Sequence, residues 1–182
     1  MKTVSKRKVK LNRIQLLIFY FFLFAFLGWV METLYAIYNL GYFVKRGFLY
    51  GPICPIYGYG ALILIIFFNK YKKHNFKLFI YSAVVFSAFE YFVSYILDAL
   101  FAMNWWDYTN EFFNLNGRIS IFYSFAWGII AILFINYIYP FFKKRINIVL
   151  SKTPYILQLI LVYSFSGILV VDTISSCIKY LN

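Results

Sequence analysis

Five long apolar stretches, separated by short clusters of Lys and Arg, constrain this chain more than any other feature. A helix needs about 20 apolar residues to cross the hydrocarbon core of a bilayer, and 63% of the 182 residues are hydrophobic. The net charge of +12 would suit a nucleic-acid-binding protein. The basic residues lie between the apolar stretches, however, where they set membrane topology. We therefore predict an all-α, polytopic membrane helix bundle whose partner is the lipid bilayer and not nucleic acid.

The apolar stretches predict five transmembrane helices in a multi-pass protein of the cell membrane. Residues 1–13 form a cytoplasmic basic arm, and residues 14–182 form a single transmembrane domain. The parts of that domain are a first hairpin (14–68), a second hairpin (78–140) that ends at Pro140, and a fifth helix (154–179). Because basic clusters stay in the cytoplasm, we expect the amino terminus inside and the carboxyl terminus outside.

The segment 46–61, at the entry to the second predicted helix (52–68), carries two prolines and four glycines. Proline removes a backbone donor and glycine weakens a helix. Irregular backbone survives at membrane depth only when it is buried in protein or lines a water-filled cavity. We interpret the segment as a broken helix entry that faces a polar cavity, and leave open whether residues 51–55 dip into the bilayer.

The two predicted hairpins align without a gap when the sequence is shifted by 66 positions. Glu32 then meets Asp98, Gly51 meets Gly117 and Tyr57 meets Tyr123. Both hairpins start on the same side, so this is a parallel repeat about an axis along the membrane normal. Transporters of that type bind substrate at the repeat interface.

All the acidic residues are predicted to lie at mid-depth or on the outer side: Glu32, Glu90, Asp98, Asp107, Glu111 and Asp172. Arg46 and Arg118 are expected at the same outer mouth, against the topological preference of cations. Two interpretations stay open. One is a network of buried ion pairs that locks the helices together, since charged groups in membranes pair by necessity. The other is a cavity open to the outer side, lined by the acids and capped by the two arginines.

Two of these residues are given specific roles. Arg118 follows a glycine and is expected to open a helix, where its side chain and the helix amides would together hold a phosphate or carboxylate. Glu90 is the deepest acid and therefore the candidate for proton exchange.

Motifs of soluble enzymes do not occur in the sequence. It has no P-loop, no nucleophile elbow and no cluster of metal-binding residues, and Cys54 and Cys177 lack metal-site spacing. We therefore predict neither a cofactor nor a metal. The catalytic residues are left unassigned, and whether the protein is an enzyme stays open.

Four segments together resemble the putative ABC-transporter type IV (CmpB-like) membrane family: Phe26–Glu32, Arg46–Gly58, Trp105–Tyr108 and Asn114–Ile119. The resemblance implies a permease or another transport-associated protein. It also implies that Trp106 and Asp107 belong to the site. The chain departs from the family at Asp98, where many members are expected to carry Glu. The predicted substrate-binding residues are then Glu32, Arg46, Glu90, Asp98, Trp106, Asp107, Arg118 and Asp172.

Three functions are compatible with this pattern. The first is a permease with an outer-facing polar cavity for an unidentified small or lipid-like substrate, acting with a separate ATPase subunit or as a homo-oligomer. The second is an intramembrane enzyme or lipid-handling protein acting on anionic head groups. The third is an accessory membrane subunit without a site of its own.

Overall fold

The computed structural model describes residues 11–181, which fold into helices apart from one short β-hairpin. Residues 1–10, most of the predicted basic arm, lie outside the described residues, as does residue 182. The elements in chain order are α1 (Arg13–Leu40), α2 (Pro55–Ile63), α3 (Asn75–Phe101), β1 (Asn114–Leu115), β2 (Ile119–Ser120), α4 (Ile121–Lys152) and α5 (Tyr155–Leu181).

Four helices of the described chain, all except α2, are long and apolar enough to cross a membrane. Their 18-residue windows reach mean hydropathies of 1.6 to 2.2, as expected for segments surrounded by lipid. Large apolar side chains such as Phe92, Phe122 and Val171 are exposed on their surfaces. The chain is therefore a multi-pass membrane protein.

The second predicted span differs most from expectation. Helix α2 begins at Pro55 and has only nine residues, followed by a π-helical turn, Leu64–Phe68. Nine helical residues rise about 14 Å, less than half of a hydrocarbon core about 30 Å thick. The Cys54 N–H donates to the carbonyl of Ala25, 3.0 Å away, near the middle of α1. The helix therefore starts beside the middle of α1, and the preceding segment runs along α1 to reach it.

The prediction that Pro140 ends the fourth helix is wrong. Helix α4 continues to Lys152 through a π-helical turn, Phe134–Ile138. The Tyr139 N–H bonds to the carbonyl of Phe134, five residues back. Proline lacks an N–H and its ring crowds the preceding turn. Pro140 is tolerated because it occupies the first turn of a new α-helical segment, where its N–H is not needed.

The two hairpins pack in the same way, α1 against α2 and α3 against α4. Ser87 on α3 donates a hydrogen bond to Ser124 on α4, 2.6 Å away. The positions 66 residues earlier are Phe21 and Gly58, and a Cβ added at Gly58 would lie 2.6 Å from the Phe21 ring. Equivalent positions are therefore in contact in both hairpins, as the predicted repeat requires.

The residues between the paired helices lie at one end of the bundle. We call this the loop end; it consists of residues 41–50, residues 102–120 and the carboxyl end of α5, while residues 51–54 run along α1 to reach α2. Phe48 from the first segment lies 5.8 Å from Trp105 and 5.2 Å from Tyr180 between ring centres. The apolar core lies toward the opposite end, where Phe24 on α1 packs against Phe134 on α4. The lysines between α2 and α3 (residues 70–73) and the basic residues near the end of α4 (143–145) lie at that opposite end. The loop end is therefore the predicted outer side.

Helix α5 is the least covered helix. Only 11% of its most apolar window is buried, compared with 33% for α1. It contacts α1 and α3, and Gln15 on α1 donates to the hydroxyl of Tyr163 at 3.3 Å. Most of its surface is left to lipid or to another molecule.

Candidate functional site

The first polar cluster joins Glu32 on α1 to the segment that precedes α2. Arg46 Nη2 lies 3.1 Å from Glu32 Oε2, and the hydroxyl of Tyr57 on α2 donates to the other carboxylate oxygen. Both Glu32 and Arg46 are partly exposed, with side-chain exposures of 27% and 36%. The carboxylate is thus held from two sides by groups of one hairpin.

Sharp backbone turns at two glycines place Arg46 beside Glu32. Gly41 ends α1 in the left-handed conformation, with φ of 79°, and Gly47 has φ of 88°. Such values favour glycine. A Cβ at Gly47 would also lie 2.8 Å from Cys54 Sγ. The chain therefore turns sharply after Arg46 and buries Leu49 and Cys54 against α1.

The second cluster surrounds Glu90, which lies midway along α3 and is only 5% exposed. Its Oε1 accepts a hydrogen bond from the Tyr108 hydroxyl at 2.9 Å, and its Oε2 accepts one from Trp127 Nε1 at 3.0 Å. No Lys or Arg among residues 11–181 forms an ion pair with it. A charged carboxylate at the centre of a membrane helix costs about 3 kcal/mol, and here only neutral donors offset that cost.

Tyr108 is the loop residue that donates to Glu90. Burial raises the pKa of the Tyr108 hydroxyl above its ordinary value, and the carboxylates of Glu90 and Glu32 raise it further. The hydroxyl therefore stays protonated and remains a donor to Glu90. Its ring stacks on that of Tyr123, with centres 4.2 Å apart, which fixes its direction.

Asp98 and Arg118 form a separate ion pair near the loop end. The Arg118 guanidinium also lies 5.6 Å and 5.4 Å from the rings of Tyr91 and Tyr95, and such cation–π contacts stabilise it. The prediction that Arg118 opens a helix is wrong, since it lies in the tight turn before β2 and α4 begins at Ile121. The sharp turn is formed by Asn116 and Gly117, both with positive φ.

Asp172 on α5 binds backbone and not a cation. Its Oδ1 accepts from the Tyr50 N–H and its Oδ2 from the Gly51 N–H, both at 2.8 Å. Ser176 donates to Oδ1 at 3.1 Å. A Cβ at Gly51 would lie 3.0 Å from Oδ2, so glycine permits the close approach. Asp172 therefore fastens α5 to the segment that carries Arg46.

Trp106 and Asp107 support the second loop. Trp106 Nε1 donates to the carbonyl of Arg118 at 3.0 Å. Asp107 accepts from the N–H of Thr109 at 2.9 Å and from its hydroxyl, and these hydrogen bonds lower the pKa of the exposed carboxyl. The structure gives both residues a role in shaping the loop.

The predicted acids and arginines thus form several neighbouring contacts. Two grooves in the described part of the chain lie near some of these residues. One, of about 340 Å³, is apolar and lies between Phe21, Tyr59 and Leu169. The other, of about 810 Å³, lies along α5 and contains Asp172. Neither is lined by Glu32, Glu90 or the arginines. Between residues 11 and 181 no three His, Cys, Asp or Glu side chains are grouped to bind a metal.

Sequence reasoning did not place Tyr57, Tyr108 and Trp127 in the site, although they donate to its carboxylates. The chain has 18 tyrosines, so tyrosine type alone carries little information. The available indication was the buried acid itself, because a carboxylate inside a membrane needs donors.

Most of the chain matches a known protein family. The model of the family described as putative ABC-transporter type IV matches residues 19–177, nearly the whole described chain. The chain belongs to this family. The resemblance predicted from the four sequence segments is confirmed. Searches of curated proteins and of solved structures each gave no match. The family match covers both hairpins and most of α5, so the Glu32 and Glu90 clusters both lie inside the matched region.

Proposed function

We propose that this member of the type IV ABC-transporter family is the membrane subunit of a transport system, with Glu90 as the proton-exchanging group of its polar site. The observation that carries the proposal is the pairing of Glu90 with two neutral donors, Tyr108 and Trp127. Glu32 and Asp98 each have an arginine as their partner. Among residues 11–181 Glu90 has no such cation beside it to favour the charged carboxylate.

The backbone around the site supports the same proposal. Helix α2 starts beside the middle of α1, and broken helices of this kind form substrate sites at mid-depth in transporters. Helix α4 starts just after Ser120, which is buried. We propose that residues 14–182 are one transmembrane domain of five crossings in the cell membrane. The amino terminus lies inside, the carboxyl terminus lies outside, and α2 with its preceding segment forms the second crossing.

A separate subunit must supply the energy if transport is ATP-driven. The chain has no P-loop. Helix α4 has 32 residues, about 48 Å at 1.5 Å per residue, and therefore extends beyond a bilayer. Its projecting end carries Lys143, Lys144 and Arg145. We propose that an ATPase subunit or a second copy of the chain docks there. The substrate, small or lipid-like, would bind among Glu32, Arg46, Glu90 and Tyr108.

The test is a pH titration of the protein in lipid bilayers by infrared difference spectroscopy. As the pH falls, the wild type should show one protonated carboxyl band in addition to those of the exposed acids. The band should be lost in Glu90→Gln and retained in Glu111→Gln, a matched change at an exposed acid. Retention of the band in Glu90→Gln, with the protein folded, contradicts the assignment of Glu90.

A further inference from the structure

The larger groove runs along α5 near the loop end. Its volume is about 810 Å³, and it is lined by Tyr50 and by one face of α5: Ser164, Gly167, Ile168, Val171, Asp172 and Ser175. These α5 positions recur every three or four residues, so they lie on one side of the helix. A Cβ added at Gly167 would meet no atom within 4 Å. The groove is therefore open space beside a membrane-spanning helix.

Two lysines lie near Tyr50, which lines this groove. Lys45 Nζ lies 4.6 Å from the centre of the Tyr50 ring, and Lys179 Nζ lies 5.2 Å from the same centre. Both lysines are exposed. Among residues 11–181 neither is within ion-pair distance of a carboxylate. Two cations on one aromatic ring repel each other, so an anion between them would stabilise the arrangement.

The acid in the groove does not compete for these lysines. Both oxygens of Asp172 accept hydrogen bonds from the Tyr50 and Gly51 amides, and Ser176 adds a third donor. Both carboxylate oxygens therefore already accept hydrogen bonds from protein groups, and these bonds also hold Tyr50 in place. The groove thus has a largely apolar wall along α5 and two lysines beside its Tyr50 end, which lies near the loop end.

We propose that this groove binds an anionic phospholipid. Its phosphate lies between Lys45 and Lys179 above Tyr50, and one acyl chain lies along Gly167, Ile168 and Val171. The charge of the two lysines selects the anionic head group, and the open space at Gly167 admits the chain. Arg46 and Arg118 are not the anion-binding groups of this site, because each is paired with a carboxylate.

Native mass spectrometry of the purified full-length protein tests this, with dioleoyl phosphatidylglycerol and dioleoyl phosphatidylcholine as probes. The wild type should retain one phosphatidylglycerol much more tightly than phosphatidylcholine. Each Lys near an anionic surface contributes about 1 kcal/mol, so Lys45→Gln/Lys179→Gln should weaken phosphatidylglycerol binding about tenfold to thirtyfold. The matched control is Lys70→Gln/Lys72→Gln, two exposed lysines at the opposite end, which should leave it unchanged.

A second variant tests the acyl-chain part of the groove. A Cβ at Gly167 meets no protein atom within 4 Å, so we expect Gly167→Leu to stay folded and to bind phosphatidylglycerol at least threefold more weakly. Equal binding of both lipids, or equal loss in the Lys70/Lys72 control, overturns the proposal. Displacement of the lipid by millimolar inorganic phosphate also overturns it, since the site would then recognise free phosphate.

Discussion

Replacing Asp172 tests how α5 is fastened to the segment before α2. The Asp172 carboxylate accepts two backbone hydrogen bonds of 2.8 Å, from Tyr50 and Gly51. A hydrogen bond to a charged group contributes about 1.5–3 kcal/mol. Asp172→Asn keeps one acceptor oxygen and turns an NH₂ toward the other amide, so one bond is lost. We expect a cost near the lower limit, about 1.5 kcal/mol, because the site is partly exposed.

This cost should appear as local opening of the segment. A loss of about 1.5 kcal/mol raises the open population roughly tenfold. Hydrogen–deuterium exchange of the peptide covering residues 47–53 should therefore be about tenfold faster in Asp172→Asn, while α3 peptides are unchanged. The matched control is Asp107→Asn, which makes the same chemical change on the second loop.

Two results would contradict this role of Asp172. If the 47–53 peptide exchanges at the same rate in wild type and Asp172→Asn, the carboxylate does not hold the Tyr50 and Gly51 amides. Faster exchange throughout the protein would also count against it, because Asp172 would then stabilise the whole bundle and not this attachment.

Two further substitutions, Gly28→Leu and Arg118→Gln, should lower the stability of the protein. Gly28→Leu should destabilise the protein by about 3 kcal/mol or more, because a Cβ there overlaps the ring of Tyr57. The measurement is thermal unfolding in detergent, and the control is Gly167→Leu, which should remain within about 0.5 kcal/mol of wild type. If Gly28→Leu and Gly167→Leu melt at the same temperature, the close packing at Gly28 is contradicted. Arg118→Gln should cost about 1 kcal/mol by leaving Asp98 without its cation, because Asp98 is 40% exposed and its charge is partly screened by solvent. An unchanged melting temperature would show that this pair contributes nothing to stability.

The helices could be predicted from the sequence because lipid leaves few alternatives. A long apolar run must form a helix to satisfy its own backbone, which is why α1, α3 and α5 lie within a few residues of the predicted spans. The ends that depend on local backbone chemistry were harder. Pro140 lies inside α4 because a π-helical turn precedes it. No residue type predicts such a turn from the sequence.

The candidate site was predictable in residue type and less so in arrangement. The presence of acids and arginines at one end follows from the sequence. The partner of each does not, because Arg46 reaches Glu32 through a glycine turn and Arg118 reaches Asp98 through a β-hairpin. The interpretation as ion pairs describes Glu32 and Asp98, and the interpretation as proton exchange stays a proposal for Glu90.

The central claim is that Glu90 is a membrane-embedded acid without a cationic partner. A density map of the protein purified with its native lipid tests this most directly. We predict the Glu90 carboxylate within hydrogen-bond distance of Tyr108 and Trp127, at the depth of the Cys54–Ala25 contact. A map in which Glu90 pairs with a lysine or arginine, or points into the acyl chains, would contradict the account.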